Sequence, residues 1–183
     1  ASQNQQPKVS GLQTFAAFGQ GPKVPRGPIG AQPERFAIDL LETRRGDDDI
    51  AFADMASGKR ITWTDLADRV DRIATELAAR GLRHGDRVAM LTPPGVELAA
   101  AIYGVWRAGG VAVVADRGLG LSGLRRAVRS ARPSWVIGPK SALAAARLLR
   151  WAPRAQNLDI NDLMSADASA PPETPEADDF AAI

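Results

Sequence analysis

The sequence predicts an α/β fold in which helices flank a mostly parallel sheet. The first observation is the stretch 87–116, where two short apolar runs enclose an apolar-rich helix of about ten residues. This is the order of a βαβ unit, because parallel strands need a crossover connection. The second observation is that strand-like and helix-like segments keep alternating after Asp116. Neither apolar run alternates with polar residues, so we expect both strands in the middle of the sheet.

Composition restricts the class of protein. The chain of 183 residues has no cysteine, which excludes disulfides and cysteine-based metal or redox sites and predicts a reducing cytoplasm. No apolar run approaches the roughly 18 to 20 residues of a membrane span, and no signal-peptide pattern begins the chain. A net charge of +2 does not argue for nucleic acid. We expect a cytoplasmic protein that neither spans a membrane nor binds nucleic acid.

The chain divides into four parts by composition. Residues 1–33 are rich in Gln, Gly and Pro, which predicts a disordered linker or tail. The α/β part covers 34–164. Residues 165–179 form an acidic linker that contains proline. Residues 180–183 are apolar and are expected to begin another strand.

The elements before the βαβ unit follow from local patterns. We expect an amphipathic helix over 34–45 and a β-hairpin made of 50–54 and 60–63. Thr64 is placed to cap the next helix, whose apolar residues recur at steps of four and three. Three adjacent aspartates at 47–49 lack a second oxygen-rich loop, so they are typical of a solvated turn rather than a metal site.

A glycine-rich loop, GLGLSG, follows the unit at residues 118–123. It lies between a strand and a helix, so one interpretation is a phosphate cradle made of backbone N–H groups. Its spacing fits neither GxGxxG nor GxxxxGK[ST]. Residues 135–140, about 20 positions further on, offer no acidic residue for a ribose. The pattern favours an ordinary connection.

The remaining segment continues the alternation of strands and helices. We expect a helix over 122–131 that turns its arginines outward, a strand over 135–138 and a helix over 141–151. A last short strand is predicted within 158–163. The single histidine, His84, lies in a tight connection without a partner pattern and is a poor candidate for catalysis.

Charge is unevenly distributed along the chain. From Arg117 to Arg154 there are nine basic residues and no acidic one, whereas seven acidic residues and no basic one follow Arg154. The two segments pair with each other, or each faces a different partner. Arginines on the outer side of a helix are most often solvated surface. Nucleic-acid binding would favour aromatic residues between the arginines, and the only two in this stretch are expected in the core.

Three motifs resemble those of one enzyme family. They are ITWTDL at 61–66, GDRVA at 85–89 and WRAGGV at 106–111, the last leading to Asp116. In this order they are similar to the N-terminal motifs of the adenylate-forming superfamily, which includes acyl-CoA synthetases, luciferases and nonribosomal-peptide adenylation domains. The resemblance covers roughly residues 34–183. The chain departs from it at Ala115, where the family usually has proline.

A narrower resemblance rests on GLGL at 118–121, VIGPK at 136–140 and AARLLRW at 145–151. These segments resemble a subgroup tied to olefin biosynthesis, which closes β-hydroxy acids into β-lactones. In some members of that pathway the ligase is fused behind an α/β-hydrolase. The N-terminal linker would suit such a fused or partner hydrolase domain upstream.

The resemblance implies a ligase that activates a carboxylic acid with ATP and Mg²⁺. A fatty acid or β-hydroxy fatty acid would become an acyl-adenylate, and CoA or an internal hydroxyl would then take the acyl group. The family's phosphate loop, of the TSGSTGxPKG type, begins just after a strand that resembles 179–183. The chain is therefore expected to be an incomplete N-terminal subdomain, with the remainder of the same enzyme as its partner, and to be inactive alone. The alternative is a non-catalytic α/β module that binds an acidic partner through 117–154.

Two basic residues are candidates for ligand binding. In open α/β sheets, ligands collect outside the carboxyl ends of the strands. Arg117 follows one predicted strand end and Lys140 another. We expect Arg117 or Lys140 to lie near an anionic part of a ligand, such as a CoA phosphate or the acyl carboxylate, the alternative being exposed surface charge. No catalytic residue and no metal ligand is assigned within the chain.

Overall fold

The computed structural model describes residues 33–114 and 120–165. The predictions for the linkers and for the strand at 180–183 lie outside the described residues. So do Arg117 and the first part of the glycine-rich loop.

Six helices and six strands make up the described part of the chain. The helices are α1 Pro33–Thr43, α2 Trp63–Ala79, α3 Val96–Arg107, α4 Gly120–Ala131, α5 Lys140–Leu148 and α6 Ile160–Ser165. The strands are β1 Ile50–Ala53, β2 Arg60–Thr62, β3 Arg87–Met90, β4 Val111–Val114, β5 Trp135–Gly138 and β6 Gln156–Asp159. None of the described helices has the length and apolar character needed to cross a membrane.

The strands form an antiparallel hairpin and a parallel sheet. β1 and β2 pair as the predicted hairpin. The other four strands are parallel in the order β4-β3-β5-β6. β3 and β4 pair from Arg87 with Val111 to Met90 with Val114, and α3 connects them. The predicted α/β class, with a parallel sheet and flanking helices, is confirmed.

The prediction that both strands of the βαβ unit are central is correct only for β3. β4 lies at an edge of the described sheet, because β5 pairs with the other side of β3. The side chains of Val111 to Val113 are half-buried, and Val114 is 54% exposed. Apolar character alone therefore does not separate a central strand from an edge strand.

Alternate residues of each central strand enter different cores. Val88 and Met90 pack with the cluster built by α1, α2, α3 and α6, which we call the α2/α3 face. Ala89 and Val136 pack with a smaller cluster built by α4, α5 and Trp151, which we call the α4/α5 face. The predicted burial of both tryptophans of the basic segment is confirmed, since Trp135 and Trp151 are buried.

Close approach of α2 and α3 organises the larger core. Gly104 of α3 faces Ile73 of α2, and a Cβ atom at residue 104 would lie 2.4 Å from Ile73 Cγ2. Only a residue without a side chain allows the two backbones to come so near. At the end of α3, Gly109 adopts a positive φ of 79°, which lets the chain turn into β4.

The start of α2 corrects one prediction. The helix begins at Trp63, and its capping residue is Thr62, whose hydroxyl accepts a hydrogen bond from the backbone N–H of Asp65 at 3.1 Å. Thr64 has a different role. Its hydroxyl donates to the backbone carbonyl of Asp47 at 3.1 Å and so holds the acidic turn against α2.

Two further expectations differ from the structure. The segment 158–163 is not one strand, because β6 ends at Asp159 and α6 follows at once. In α4, Val128 is buried, whereas Leu124, Ala127 and Ala131 are only half-buried. The arginines of this helix are exposed, as expected. Helical spacing identified the inner side of α4 but not how completely it is covered.

A buried arginine ties three helices together. Arg107 is 7% exposed, and its Nε lies 2.7 Å from Asp71 Oδ1 of α2. Its Nη1 donates to Glu42 of α1. Arg45 joins the same two carboxylates, at 3.0 Å from Glu42 and 2.9 Å from Asp71. Each positive charge thus has two negative neighbours, which offsets the cost of desolvating Arg107.

Candidate functional site

The carboxyl ends of the four parallel strands meet at one edge of the sheet. Register places Met90 beside Val114 and Ile137, and Gly138 beside Asp159. The loops and helix starts that follow β3, β5 and β6 therefore face the same solvent region. This is the edge where open α/β sheets bind ligands.

The loop after β3 lies close against the end of β5. The backbone N–H of Leu91 donates to the carbonyl of Ile137 at 2.7 Å. At Gly138 an added Cβ would lie 3.0 Å from Leu91 Cβ and 3.3 Å from its carbonyl carbon. A larger residue at 138 would push the loop away. The absence of a side chain at Gly138 therefore lets Leu91 pack against β5, and this contact sets the position of the following residue, Thr92.

A cavity of about 380 Å³ opens beside this loop, on the α4/α5 face. Its walls come from the end of β3, the start of α4, the inner side of α5 and Trp151. Thr92, which is 9% exposed, belongs to the lining, and its hydroxyl has no hydrogen-bond partner. The other lining side chains are apolar or small. Such a cavity suits an uncharged, mostly apolar group and not a triphosphate.

Lys140 is the first residue of α5 and points into solvent near this edge. Its side chain is 81% exposed, and its Nζ lies 3.7 Å from Oδ2 of Asp159, whose side chain is 5% exposed. Asp159 Oδ1 accepts from the backbone N–H and the Nδ2 of Asn161, at 2.9 and 3.1 Å. Oδ2 has no hydrogen bond, since 3.7 Å is an ionic contact only. The lysine therefore keeps donors free for a ligand.

Only one of the two candidate residues, Lys140, lies among the described residues. Lys140 lies at the predicted strand end, although it does not line the cavity. Arg117 lies outside the described residues. Sequence reasoning missed Thr92 and Asp159. Thr92 lies two residues after β3, and Asp159 is the last residue of β6. Their position at strand ends is the signal that could have identified them.

The aspartates at 47–49 are held by neighbouring side chains. Asp47 and Asp49 pair with Arg44 at 2.6 and 3.4 Å. The hydroxyl of Thr64 shares its hydrogen between the Asp47 carbonyl and Asp48 Oδ1, which lies 3.2 Å from it. Across residues 33–114 and 120–165, no three His, Asp or Glu side chains are arranged to hold a metal ion. The acidic turn is a structural feature that fastens the hairpin to α1 and α2.

A second polar cluster joins the hairpin to the start of α3. Lys59 Nζ lies 2.6 Å from Glu97 Oε1. This hydrogen bond holds the pKa of Glu97 below its usual value. Asp54 accepts from the hydroxyl of Ser57, and its pKa is lowered for the same reason. Both carboxylates are therefore charged at neutral pH, and the Lys59–Glu97 contact links the hairpin to the first turn of α3.

The family model described as AMP-binding enzyme matches residues 41–183. The chain belongs to the family of AMP-binding enzymes. It is 32% identical over 127 residues to the olefin beta-lactone synthetase of Xanthomonas campestris pv. campestris, covering 69% of this chain and 22% of that protein. It is 33% identical over 141 residues to 4-coumarate--CoA ligase-like 4 of Oryza sativa subsp. japonica, covering 76% and 24%.

Two solved structures share the fold. The ATP-bound crystal structure of MatB from Rhodopseudomonas palustris matches with a TM-score of 0.63 and 29% identity, over 78% of this chain and 30% of that one. The N-terminal domain of FACL13 from Mycobacterium tuberculosis matches with a TM-score of 0.66 over 82% of this chain and 40% of that one. At 23% identity this second match concerns the fold alone. The chain spans less than a quarter of the two curated relatives.

Proposed function

We propose that this chain is the N-terminal portion of an ATP-dependent ligase that converts a carboxylic acid into its acyl-adenylate. The observation that carries the proposal is the family match across residues 41–183. The relatives include an olefin β-lactone synthetase, a 4-coumarate--CoA ligase-like protein and a feruloyl-CoA synthase. Making a lactone or a thioester from a carboxylic acid requires that the acid first be activated. ATP, with Mg²⁺ on its phosphates, is the co-substrate that this chemistry needs.

The proposed reaction has two steps. In the first, a carboxylate oxygen attacks the α-phosphorus of ATP, and pyrophosphate leaves as the acyl-adenylate forms. In the second, a nucleophile attacks the acyl carbon and AMP leaves. We propose a β-hydroxy fatty acid as the substrate, with its own hydroxyl as the second nucleophile, so that the product is a β-lactone. The support is the resemblance to two olefin β-lactone synthetases.

Acceptor dependence tests this substrate class. The full-length gene product is incubated with ATP, Mg²⁺ and a β-hydroxy fatty acid, with and without CoA. We expect β-lactone and AMP in both cases. If no lactone forms and an acyl-CoA thioester appears when CoA is added, the protein would be assigned to the CoA ligases instead. No release of pyrophosphate with any carboxylic acid would refute the ligase proposal itself.

The 183-residue chain is expected to be inactive by itself. Transfer at a phosphate depends on groups that position the phosphates and neutralise their charge. No loop of the TSGSTGxPKG type occurs in the sequence. Exchange of labelled pyrophosphate into ATP should therefore be absent with the purified chain, and acid-dependent exchange would contradict this. Reading the gene beyond Ile183 is the cheapest check, because a Ser/Thr/Gly-rich loop with a lysine should follow.

We further propose that Lys140 or Arg117 contacts an anionic part of a ligand at the carboxyl edge of the sheet. For Lys140 the support is its position after β5, its exposure and its single, long ionic contact. Binding is measured in the full-length protein with Lys140→Ala and Arg117→Ala. Arg147→Ala is the control, since Arg147 is also exposed on α5.

Loss of a charge-assisted contact should weaken the affinity for ATP, acid or CoA about tenfold, which corresponds to 1.4 kcal/mol. If neither variant differs from Arg147→Ala by more than about twofold on that scale, both residues are surface charge.

A further inference from the structure

A second cavity lies at the opposite edge of the sheet, below the amino ends of β3, β5 and β6. Its volume is about 720 Å³, within the range of small-molecule sites. The end of α2 contributes Gly81, the end of α4 contributes Arg129, and the segment after α5 contributes Trp151 to Arg154. Elements from distant parts of the chain thus line one open groove at the amino ends of the strands, and Trp151 is the one described residue that also lines the cavity at the carboxyl edge.

Positive charge dominates the lining of this cavity. Four arginines take part, namely Arg83, Arg129, Arg132 and Arg154, against one carboxylate, that of Asp86. None of the four forms an ion pair with a carboxylate of the described residues. The Asp86 carboxylate already accepts from the backbone N–H of Arg83 at 2.9 Å and from Trp135 Nε1 at 3.2 Å.

Helix ends reduce this positive charge only in part. α2, α4 and α5 all end near the cavity, and each helix C-terminus carries roughly half a negative charge. The three ends together offset fewer than two of the four guanidinium charges. With Asp86 included, the cavity still has a net positive charge and an excess of N–H donors over acceptors.

Two local features point to an acceptor-bearing ligand. Arg132 has a φ of 47°, in the left-handed region where glycine or asparagine usually ends a helix, so an arginine occupies a position that disfavours it. The indole N–H of Trp151, a residue that is 4% exposed and lines both cavities, has no hydrogen-bond acceptor. Both residues supply donors for which the described protein provides no acceptor.

We propose that this cavity binds a small polyanion that carries two or more linked phosphate groups. Planar guanidinium groups donate paired hydrogen bonds that match phosphate oxygens, and several of them around one space suit more than one phosphate. The volume of about 720 Å³ lies in the range of small-molecule sites, which favours a small molecule over a protein segment. The site is independent of the proposed ligase chemistry, since it lies at the other edge of the sheet.

Tripolyphosphate is the probe that tests the proposal on the 183-residue chain. It is titrated at low ionic strength by calorimetry, and the indole N–H signals of Trp135 and Trp151 are followed by NMR. The test variant is Arg132→Gly with Arg154→Gln, because glycine suits the φ of residue 132 and preserves the turn. The matched control is Arg125→Gln with Arg126→Gln, which removes two exposed charges of α4 that do not line the cavity.

We expect saturable binding of one tripolyphosphate, weakened at least tenfold in the test variant and less than twofold in the control. The indole signal of Trp151 should shift on binding. Equal weakening in both variants would show that the probe responds to overall charge, and the site would be rejected.

Absence of binding by the wild-type chain, with both variants folded, would also reject it. A decapeptide of glutamates is titrated in parallel. If the peptide binds more tightly than tripolyphosphate with the same dependence on Arg132 and Arg154, the cavity recognises an acidic protein segment and the small-molecule proposal is overturned. Pyrophosphate and ADP, compared next, separate an inorganic from a nucleotide source of the phosphates.

Discussion

The two faces of the sheet differ in how completely helices cover them. On the α2/α3 face, four helices cover the strands, and Val70, Ile73 and Leu77 of α2 have no exposed surface. On the α4/α5 face, two helices cover a small cluster, while Leu121 and Leu148 are 72% and 83% exposed. The cavity at the carboxyl edge lies on this second face, and the cavity at the amino edge reaches it through α4 and Trp151. We conclude that the α2/α3 face carries most of the stability, whereas both cavities adjoin the α4/α5 face.

The largest contrast is expected from a charge placed in the sheet. Ile137→Asp puts a carboxylate into the α2/α3 core at a position with no exposed surface. An unpaired buried charge costs about 3 to 5 kcal/mol. Val113→Asp puts the same group on the half-buried edge strand, beside Ala89 on the α4/α5 face, where water reaches it. There we expect a cost of about 1 kcal/mol, typical of a partly exposed change.

Urea denaturation of both variants measures the difference. Equal losses would show that residue 113 of β4 is as buried in solution as residue 137 of β5. An unfolded Val113→Asp beside a folded Ile137→Asp would reverse the assignment of the two faces.

Truncation of one apolar side chain on each face gives the next contrast. Ile73→Ala should lower the free energy of unfolding by about 2 to 5 kcal/mol. The neighbour of Ile73 on α3 is Gly104, which has no side chain that could fill the space left behind. Leu124→Ala on α4 removes a half-buried side chain beside an existing cavity, so we expect about 1 kcal/mol. Chemical denaturation at one temperature compares the two. A Leu124→Ala loss as large as that of Ile73→Ala would contradict the difference between the faces.

The smallest effect concerns the ion cluster of α1, α2 and α3. The hydrogen bond from Arg45, and the charge of Arg107, hold the pKa of Glu42 below its usual value. The unfolded chain therefore takes up the proton first as the pH falls, so this contribution is present above about pH 4.3 and is lost below it. Because Glu42 is 40% exposed, solvent screening keeps the contribution under about 1 kcal/mol.

Thermal unfolding of the wild type and Glu42→Gln between pH 6 and pH 3.5 tests this prediction. The wild type should lose more stability on acidification than the variant. Parallel curves would show that Glu42 is not paired in solution.

Local features were readily predicted from the sequence. The βαβ unit, the hairpin and the two helices of the α4/α5 face follow from apolar spacing and glycine positions, which act over a few residues. The outward arginines of α4 follow from the same periodicity. Boundaries were less certain, as α2 shows, since Thr62 and Thr64 are both suitable caps and only the hydrogen bond to Asp65 decides between them.

Long-range pairing could not be predicted. Nothing in the residues of β5 specifies that it pairs with β3 on the side away from β4, so the edge position of β4 was missed. The same limit applies to the sites. Lys140 was identified as following a strand end, but its neighbour Asp159 comes from β6, and that contact depends on the order of strands. The four arginines of the amino-edge cavity are spread from residue 83 to 154, and no local pattern connects them.

Native-state hydrogen exchange tests the difference between the two faces most directly, because it measures opening free energies element by element. We predict that amides of α2, α3 and β3 exchange only through global unfolding, whereas amides of α4 and α5 exchange through local openings that cost at least about 2 kcal/mol less. Protection of α4 and α5 equal to that of α2 and α3 would contradict the account, because the α4/α5 face would then be as firmly packed as the core that it is contrasted with.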